Sequence, residues 1–399
     1  MKNSEYYINL EDKYGAHNYH ALDVVLTKGD GVWVYDIEGN KYLDCLSAYS
    51  AVNQGHNHPK IKQAMIDQLD RITLTSRAFR TDQLGLFYKK LADMTGYEKS
   101  LPMNSGAEAV ETAVKAVRKW GYVSKGIPRH KAEIIVADGN FHGRTVTVIS
   151  FSPHHQYKYD FGPFTPGFPM VEYGNIEAIK AAINENTAGI MLEPLQGESG
   201  IIIPPKGYLK AVEELCRQNN ILLIADEIQT GLGRTGALFA CEHDDVRPDV
   251  MIIGKALSGG FYPVSAVLTD EPVLGLFVPG DHGSTFGGNP LGAAVAIAAL
   301  EVIEDEKLIE NARDMGNYIK SQLSQFHQKN IKEVRGKGLL IGVELKHEVG
   351  GARQFAEILQ EKGILIKETS EHVIRIAPPL IIEKETADWM LSVLHEVLT

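Results

Sequence analysis

The feature that most constrains the fold is a set of apolar runs too short for helices and too uniform for half-exposed strands. They are "AEIIVADG" (132–139), "AGIMLEP" (188–194), "ILLIADE" (221–227) and "DVMIIG" (249–254). Successive side chains of a strand point to opposite faces, so a run without polar alternation needs cover on both. The segments "IEAIKAAINEN" (176–186) and "GYLKAVEELCRQNN" (207–220) have helical period instead. Upstream, "SGAEAVETAVKAVRKWGY" (105–122) places Ala107, Val110, Val114 and Val117 on one helical face. Strand and helix in alternation predict an α/β fold with a doubly wound, mostly parallel sheet.

The chain's ends read differently. "GVWVYDIEGNKYLD" (31–44) alternates apolar and polar residues around Glu38-Gly39-Asn40, a hairpin signal. After Asn289-Pro290 one long helical stretch is predicted to about Phe326. "IKEVRGKGLLIGVEL", "GILIKET", "HVIRIAPPL" and a final helix then suggest a smaller α+β domain. A chain of 399 residues exceeds one usual core. The expected division is 1–48 contributing to the small domain, 49–290 as the large domain, and 291–399 as the small C-terminal domain.

A formal charge of −11 argues against a nucleic-acid or anionic-membrane partner. The longest apolar stretch, "LGAAVAIAALEVI", is broken by Glu301, short of a membrane span. Cys45, Cys216 and Cys241 are too scattered for a disulfide framework or zinc site. The N-terminal "MKNSEYYINLEDKYG" has neither signal-peptide nor transit-peptide character. A reduced, cytoplasmic setting is the expectation.

In a doubly wound sheet, chemistry gathers at the carboxyl ends of the strands. Lys255 directly follows an apolar strand among Gly254, Ala256, Ser258, Gly259 and Gly260, with no acidic residue near it in sequence. A desolvated lysine loses basicity and attacks carbonyls to form a Schiff base; the competing reading is a lysine that snorkels to solvent. Asp226 ends another such strand. A buried carboxylate there needs a cationic partner, and a protonated pyridine nitrogen is one, worth about 4 kcal/mol at ~4 Å with an effective dielectric near 20. Lysine and aspartate together are what a protein contributes to pyridoxal 5'-phosphate chemistry. Helix capping is the plainer role for Asp226.

Ser105-Gly106-Ala107 open a helix whose free N–H groups suit a phosphate, although Ser105 with Glu108 also reads as a capping box. Ser284-Thr285, in "DHGSTFGGNP", are a second phosphate contact or a turn. In "GNFHGRT", Phe141 suits ring stacking and Arg144 a carboxylate. "GLGRTG" (231–236) matches a dinucleotide fingerprint, but no amphipathic helix follows it and the ribose-binding acid is missing. His56 and His58 lack a third ligand, so no metal is expected.

Together these motifs resemble the class III pyridoxal-phosphate aminotransferases, of fold type I, over essentially the whole chain. The segments "YGAHNYH", "CLSAYSAVNQGHNHPKI", "LTSRAF", "EPLQGESG", "ADEIQTGLGRTG", "GKALSGGFYPVSAV", "HGSTFGGNPLG" and "IRIAPPL" are similar to those of the ornithine aminotransferases. The resemblance implies that Lys255 forms the Schiff base, Asp226 pairs with the pyridine nitrogen, Gln229 bonds the phenolic oxygen and Phe141 stacks on the ring. It implies phosphate contacts from Gly106 and Ala107, with Thr285 reaching the phosphate of the neighbouring subunit of a homodimer. Tyr19, Tyr49 and Arg144 match substrate-binding residues, Arg375 a second carboxylate-binding arginine, and Glu198 its acidic partner. The implied reaction is ping-pong transfer of the δ-amino group of L-ornithine to 2-oxoglutarate, linked to proline and arginine metabolism. His142 departs from those ornithine-type members that carry tryptophan after the stacking aromatic. The rival expectations are an N-acetylornithine or 4-aminobutyrate aminotransferase, an NAD-dependent dehydrogenase, and a pyridoxal-fold binding module without catalysis.

Overall fold

The computed structural model describes residues 2–326 and 330–399 of the chain. Strands β1 (Leu26–Asp30), β2 (Trp33–Asp36) and β3 (Lys41–Asp44) form an antiparallel meander. The β2–β3 turn forms because Gly39 takes φ +91° and the Asp36 carboxylate accepts the Asn40 N–H at 2.7 Å.

Strands β4 (Lys99–Met103), β5 (Glu133–Ala137), β6 (Met170–Val171), β7 (Thr187–Leu192), β8 (Leu222–Asp226), β9 (Val250–Ile253) and β10 (Ser265–Thr269) build one sheet in the order β4-β10-β9-β8-β7-β5-β6. The pairs from β6 to β9 are parallel. Strand β10 runs antiparallel to both neighbours, because residues 254–264 are too few for the crossover of about a dozen residues that a parallel return needs.

The two-sided cover expected of the apolar runs is present. Ile134, Val136, Met191, Leu222 and Ile224 pack on Val110, Ala113 and Val117 of the helix Gly106–Val123. Their odd-numbered or offset neighbours Ile135, Ile190, Leu192, Leu223 and Ala225 pack on Leu209, Val212 and Cys216 of the helix Tyr208–Asn219. Burial of each large side chain contributes about 1.5–3 kcal/mol, so the sheet holds both helices in place. By the same alternation Asp226 shares the face of Leu222 and Ile224, turned toward the helix Gly106–Val123.

The long helical stretch predicted after Asn289 is two helices, Pro290–Asp305 and Leu308–Leu323. Lys307 takes φ +53° between them, which breaks the hydrogen-bond ladder. Strands β11 (Ile331–Lys337), β12 (Leu340–Leu345), β14 (Lys367–Glu368) and β15 (Val373–Ile376) form an antiparallel sheet. Strand β13 (Ile364–Leu365) instead pairs parallel with β3. "GILIKET" thus serves two sheets and joins the N-terminal meander to the C-terminal part. The helix Lys384–Leu398 closes the chain.

Two features are invisible in the sequence. Ser47, Ala48, Tyr49 and Ser50 take φ of 50°, 46°, 60° and 74° in succession, although a left-handed L-residue costs about 1–2 kcal/mol. Arg234, in the glycine-rich "GLGRTG", is fully buried. Its guanidinium donates to the Leu339 and Pro378 carbonyls at 2.9 and 2.6 Å and to Asn53 Oδ1 at 2.6 Å. Burial pushes its pKa down to about 9. The stretch that mimicked a nucleotide fingerprint is a structural corner.

Candidate active site

Four strand ends converge on one cavity of about 210 Å³. Phe141 and His142 follow β5, Glu193 and Glu198 follow β7, Asp226 ends β8, and Lys255 follows β9. Gly106 and Ala107, the first residues of the helix Gly106–Val123, line it as well. Of the residues singled out in the sequence, Lys255, Asp226, Gln229, Phe141, Gly106, Ala107 and Glu198 all line this space.

Lys255 takes φ +43°. Burial pushes its ammonium below the usual lysine range, against the opposing pull of Glu198 and Asp226, while Arg375 adds to the depression. Only charge acting through space, and no hydrogen bond, reaches its Nζ among the described residues. The amine is therefore held in reach of a ligand, with its charged form disfavoured by burial.

Asp226 is 5 % exposed. Its Oδ1 accepts the Ile228 N–H at 3.0 Å, and its Oδ2 lies 2.6 Å from His142 Nδ1. Burial pulls the His142 pKa down, but the Asp226 hydrogen bond and charge outweigh it and raise it overall. His142 Nε2 is buried without a hydrogen-bond partner among the described residues.

Glu198 Oε1 accepts from Arg375 Nη1 at 2.5 Å and from Gln229 Nε2 at 2.9 Å. Gln229 can lie this close to the loop after β7 because Gly197 has no side chain; a Cβ there would stand 1.5 Å from Gln229 Oε1. Burial alone would raise the Glu198 carboxyl; Arg375, Lys255 and Gln229 outweigh it and keep it below the ordinary range. Arg375 is 1 % exposed, and its Nε and Nη2 have no hydrogen-bond partner among the described residues. Its guanidinium lies 4.9 Å from the Tyr49 ring centroid.

The remaining predicted residues fall elsewhere. Ser105 is the N-cap: its hydroxyl accepts the Glu108 N–H at 3.3 Å and Glu108 returns to the Ser105 N–H at 2.7 Å, so the capping-box reading also holds. Ser284 Oγ accepts from Asn104 Nδ2 at 3.0 Å, and Thr285 is exposed on this chain; neither lines the cavity. Arg144 lies over the Tyr157 ring at 4.4 Å and lines a second cavity with Asn18. Tyr19, 72 % exposed, and Tyr49 share a third, mostly apolar cavity. His56 and His58 pair with Asp44 and Glu306 at 2.7 and 2.9 Å. No cluster of metal-ligating side chains occurs among the described residues.

Glu193 and His142 are the site residues that sequence reasoning missed. Glu193 stands at the end of "AGIMLEP", so the strand-end rule that found Asp226 also pointed to it. Burial raises its carboxyl from 4.5 to about 8, with Asp226 adding to the rise and His142 and the Phe141 N–H opposing it. An acid with a raised folded pKa gives its full stability below the unfolded value and loses it as the pH climbs toward the folded one. Glu193→Gln is therefore expected to melt above wild type by a margin that widens from about pH 5 to about pH 8 and then levels off. Thermal melts across that range measure it, and a margin independent of pH would contradict it.

The model of the class-III aminotransferases matches residues 14–398. A protein of Brevibacillus brevis named ornithine aminotransferase is 58% identical over 398 residues, covering 100% of this chain and 99% of that one. Among solved structures, the ornithine aminotransferase of Toxoplasma gondii superposes with a TM-score of 0.98 at 43% identity, covering 100% of this chain and 95% of that chain. The acetylornithine aminotransferase of Elizabethkingia anophelis has a TM-score of 0.90 at 47% identity, covering 100% and 99%. Among the described residues no helix is long and apolar enough to cross a membrane.

Proposed function

This chain belongs to the class-III aminotransferases, and on that premise we propose that it transfers the δ-amino group of L-ornithine to 2-oxoglutarate, giving L-glutamate 5-semialdehyde and L-glutamate. The observation that carries the reading is the Glu198–Arg375 pair, 2.5 Å apart, beside Lys255. Such an enzyme must seat a donor by its distal amine and then an acceptor with two carboxylates. An uncovered Arg375 would attract a donor's α-carboxylate and bring the wrong amine to the reacting position. Glu198 neutralises Arg375 while ornithine binds and can release it to 2-oxoglutarate. Arg144 and Tyr19 are then the groups proposed to hold ornithine's α-carboxylate.

The donor set fits pyridoxal 5'-phosphate. The amine of Lys255 has no hydrogen-bond partner among the described residues, the buried carboxylate of Asp226 faces the same cavity, and the start of an 18-residue helix supplies free N–H groups for a phosphate. When bound, this group supplies the electron sink that lets an amino group pass from a donor to an oxo acid. Lys255 would hold it and, once displaced, carry a proton at the substrate's reacting carbon. Asp226 and Gln229 would fix the ring's polar atoms, Phe141 its face, and Gly106 with Ala107 the phosphate.

A homodimer is proposed, with Thr285 reaching the neighbouring subunit's phosphate; the exposure of Thr285 supports it. Three free, buried cysteines support a cytoplasmic setting. The division at 48 and 290 is proposed too, supported by the pairing of β3 with β13.

The similarity to an acetylornithine aminotransferase favours a second reading, with N-acetylornithine as donor. Steady-state rates with L-ornithine, N-acetylornithine and 4-aminobutyrate, each against 2-oxoglutarate, separate the two. The expected kcat/KM for L-ornithine exceeds the others by roughly tenfold or more. A preference for either other donor would overturn the proposal.

A further inference from the structure

The strained turn at residues 47–50 has a visible restraint. Asp44, the last residue of β3, accepts the Leu46 and Ser47 N–H groups on Oδ1 at 2.9 and 2.8 Å. Its Oδ2 is held by His56 Nε2 at 2.7 Å. The Ser47 hydroxyl donates to the Ala377 carbonyl at 2.7 Å, and the Ala377 N–H donates to the Cys45 carbonyl at 2.8 Å. The turn is thereby tied to the strand that carries Arg375. Asp44 is 7 % exposed, so loss of its carboxylate would strand two N–H groups with little water to replace it.

None of residues 47–50 is glycine, and four successive left-handed residues persist only where their surroundings over-determine them. The conformation has one evident product. It delivers the Tyr49 ring to one face of the Arg375 guanidinium, 4.9 Å away, while Glu198 takes Nη1. If the turn relaxed to ordinary backbone, the direction of the Tyr49 Cβ would change and the ring would leave that face.

We infer that the Asp44–His56 pair is a positioning device for donor choice: it holds the left-handed turn, and the turn holds Tyr49 against Arg375. This rests on the reading of Glu198 and Arg375 as the pair that selects the donor. With Tyr49 in place, a carboxylate reaches Arg375 only past Glu198. With the ring displaced, an α-carboxylate gains a second approach, and α-amino donors compete with ornithine.

The test is the ratio of kcat/KM for L-ornithine to that for L-norvaline, which is ornithine without the distal amine and can react only through its α-amine. Asp44→Ala is expected to lower this ratio by roughly tenfold or more, the scale of one misplaced specificity contact. In a Tyr49→Ala background the same substitution should lower it no further, since both changes remove one device. Ala48→Gly added to Asp44→Ala should restore part of the ratio, because glycine takes the left-handed conformation without penalty. His56→Ala, which leaves the carboxylate oxygen that accepts both N–H groups in place, should shift the ratio in the same direction by less, and serves if Asp44→Ala does not fold.

An unchanged ratio in folded Asp44→Ala or His56→Ala, with only the melting temperature lowered, overturns the inference. So does a full, independent effect of Asp44→Ala in the Tyr49→Ala background. Wild-type protein that fails to prefer ornithine over norvaline overturns the proposed function instead, which keeps the two failures apart.

Discussion

Lys255→Ala is expected to lower turnover of L-ornithine by at least ~10³-fold, since a positioned proton carrier alone contributes about 10²–10⁴ and the covalent anchor is lost with it. The expectation comes from where the amine sits. It faces a cavity lined by Glu193, Glu198 and Asp226, without a hydrogen bond among the described residues and with its basicity depressed by burial. A lysine kept for stability alone would be paired. Because this one is desolvated and unpaired, its removal should leave the melting temperature of the apoprotein near or above that of wild type. Single-turnover rates with ornithine, measured with and without added small primary amines, provide the check. Partial rescue by the amine supports the proton-carrier role. A variant within tenfold of wild type removes Lys255 from the chemistry.

Asp226→Asn should be the next most damaging change, lowering kcat by about 10³-fold. That is the rate equivalent of about 4 kcal/mol for unit charges ~4 Å apart at an effective dielectric near 20. It should also weaken retention of pyridoxal phosphate, which equilibrium dialysis measures independently of turnover. The His142 contact gives a third readout. The Asp226 carboxylate holds the His142 pKa above its ordinary 6.5, against the effect of burial. A histidine with a raised folded pKa adds stability that is complete below the unfolded pKa and disappears as the pH rises through the folded value. The stability lost in Asp226→Asn through this pair should therefore be greatest on the acid side and shrink at alkaline pH. Without the carboxylate, burial dominates and the His142 titration moves below 6.5, which imidazole NMR of the apoprotein would record. Full activity together with an unmoved His142 titration would sink the assignment of Asp226.

The sequence was most legible where one residue's surroundings were dictated by its neighbours in the chain. The buried strands were plain because two-sided cover leaves no polar alternation, and Lys255 and Asp226 were plain because each interrupts such a run at its carboxyl end. Contacts made across the fold left weaker marks. His142 and Asp226 are 84 positions apart, and "FHGRT" gives no hint that the histidine turns toward the next strand but one. The left-handed turn in "SAYS" has no glycine or asparagine to announce it, because its restraints are Asp44 and a carbonyl 330 residues away. Strand β10 went unread because a short return to an antiparallel strand lacks the helical spacer that marked the others. The break at Lys307 lies in a charged stretch that could equally have continued the helix. "GLGRTG" shows the opposite case: it has the letters of a nucleotide fingerprint without its context, and its glycines serve a corner around a buried arginine.

Arg234 also bears on how the molecule can move. Its side chain bolts the corner after β8 to Asn53, to Leu339 at the β11–β12 turn and to Pro378 beyond β15. Sliding the C-terminal sheet across the cavity mouth would break these bonds together and leave a guanidinium stranded in the interior. Any tightening around substrate must therefore swing about this pin, with its largest sweep at the segments farthest from it.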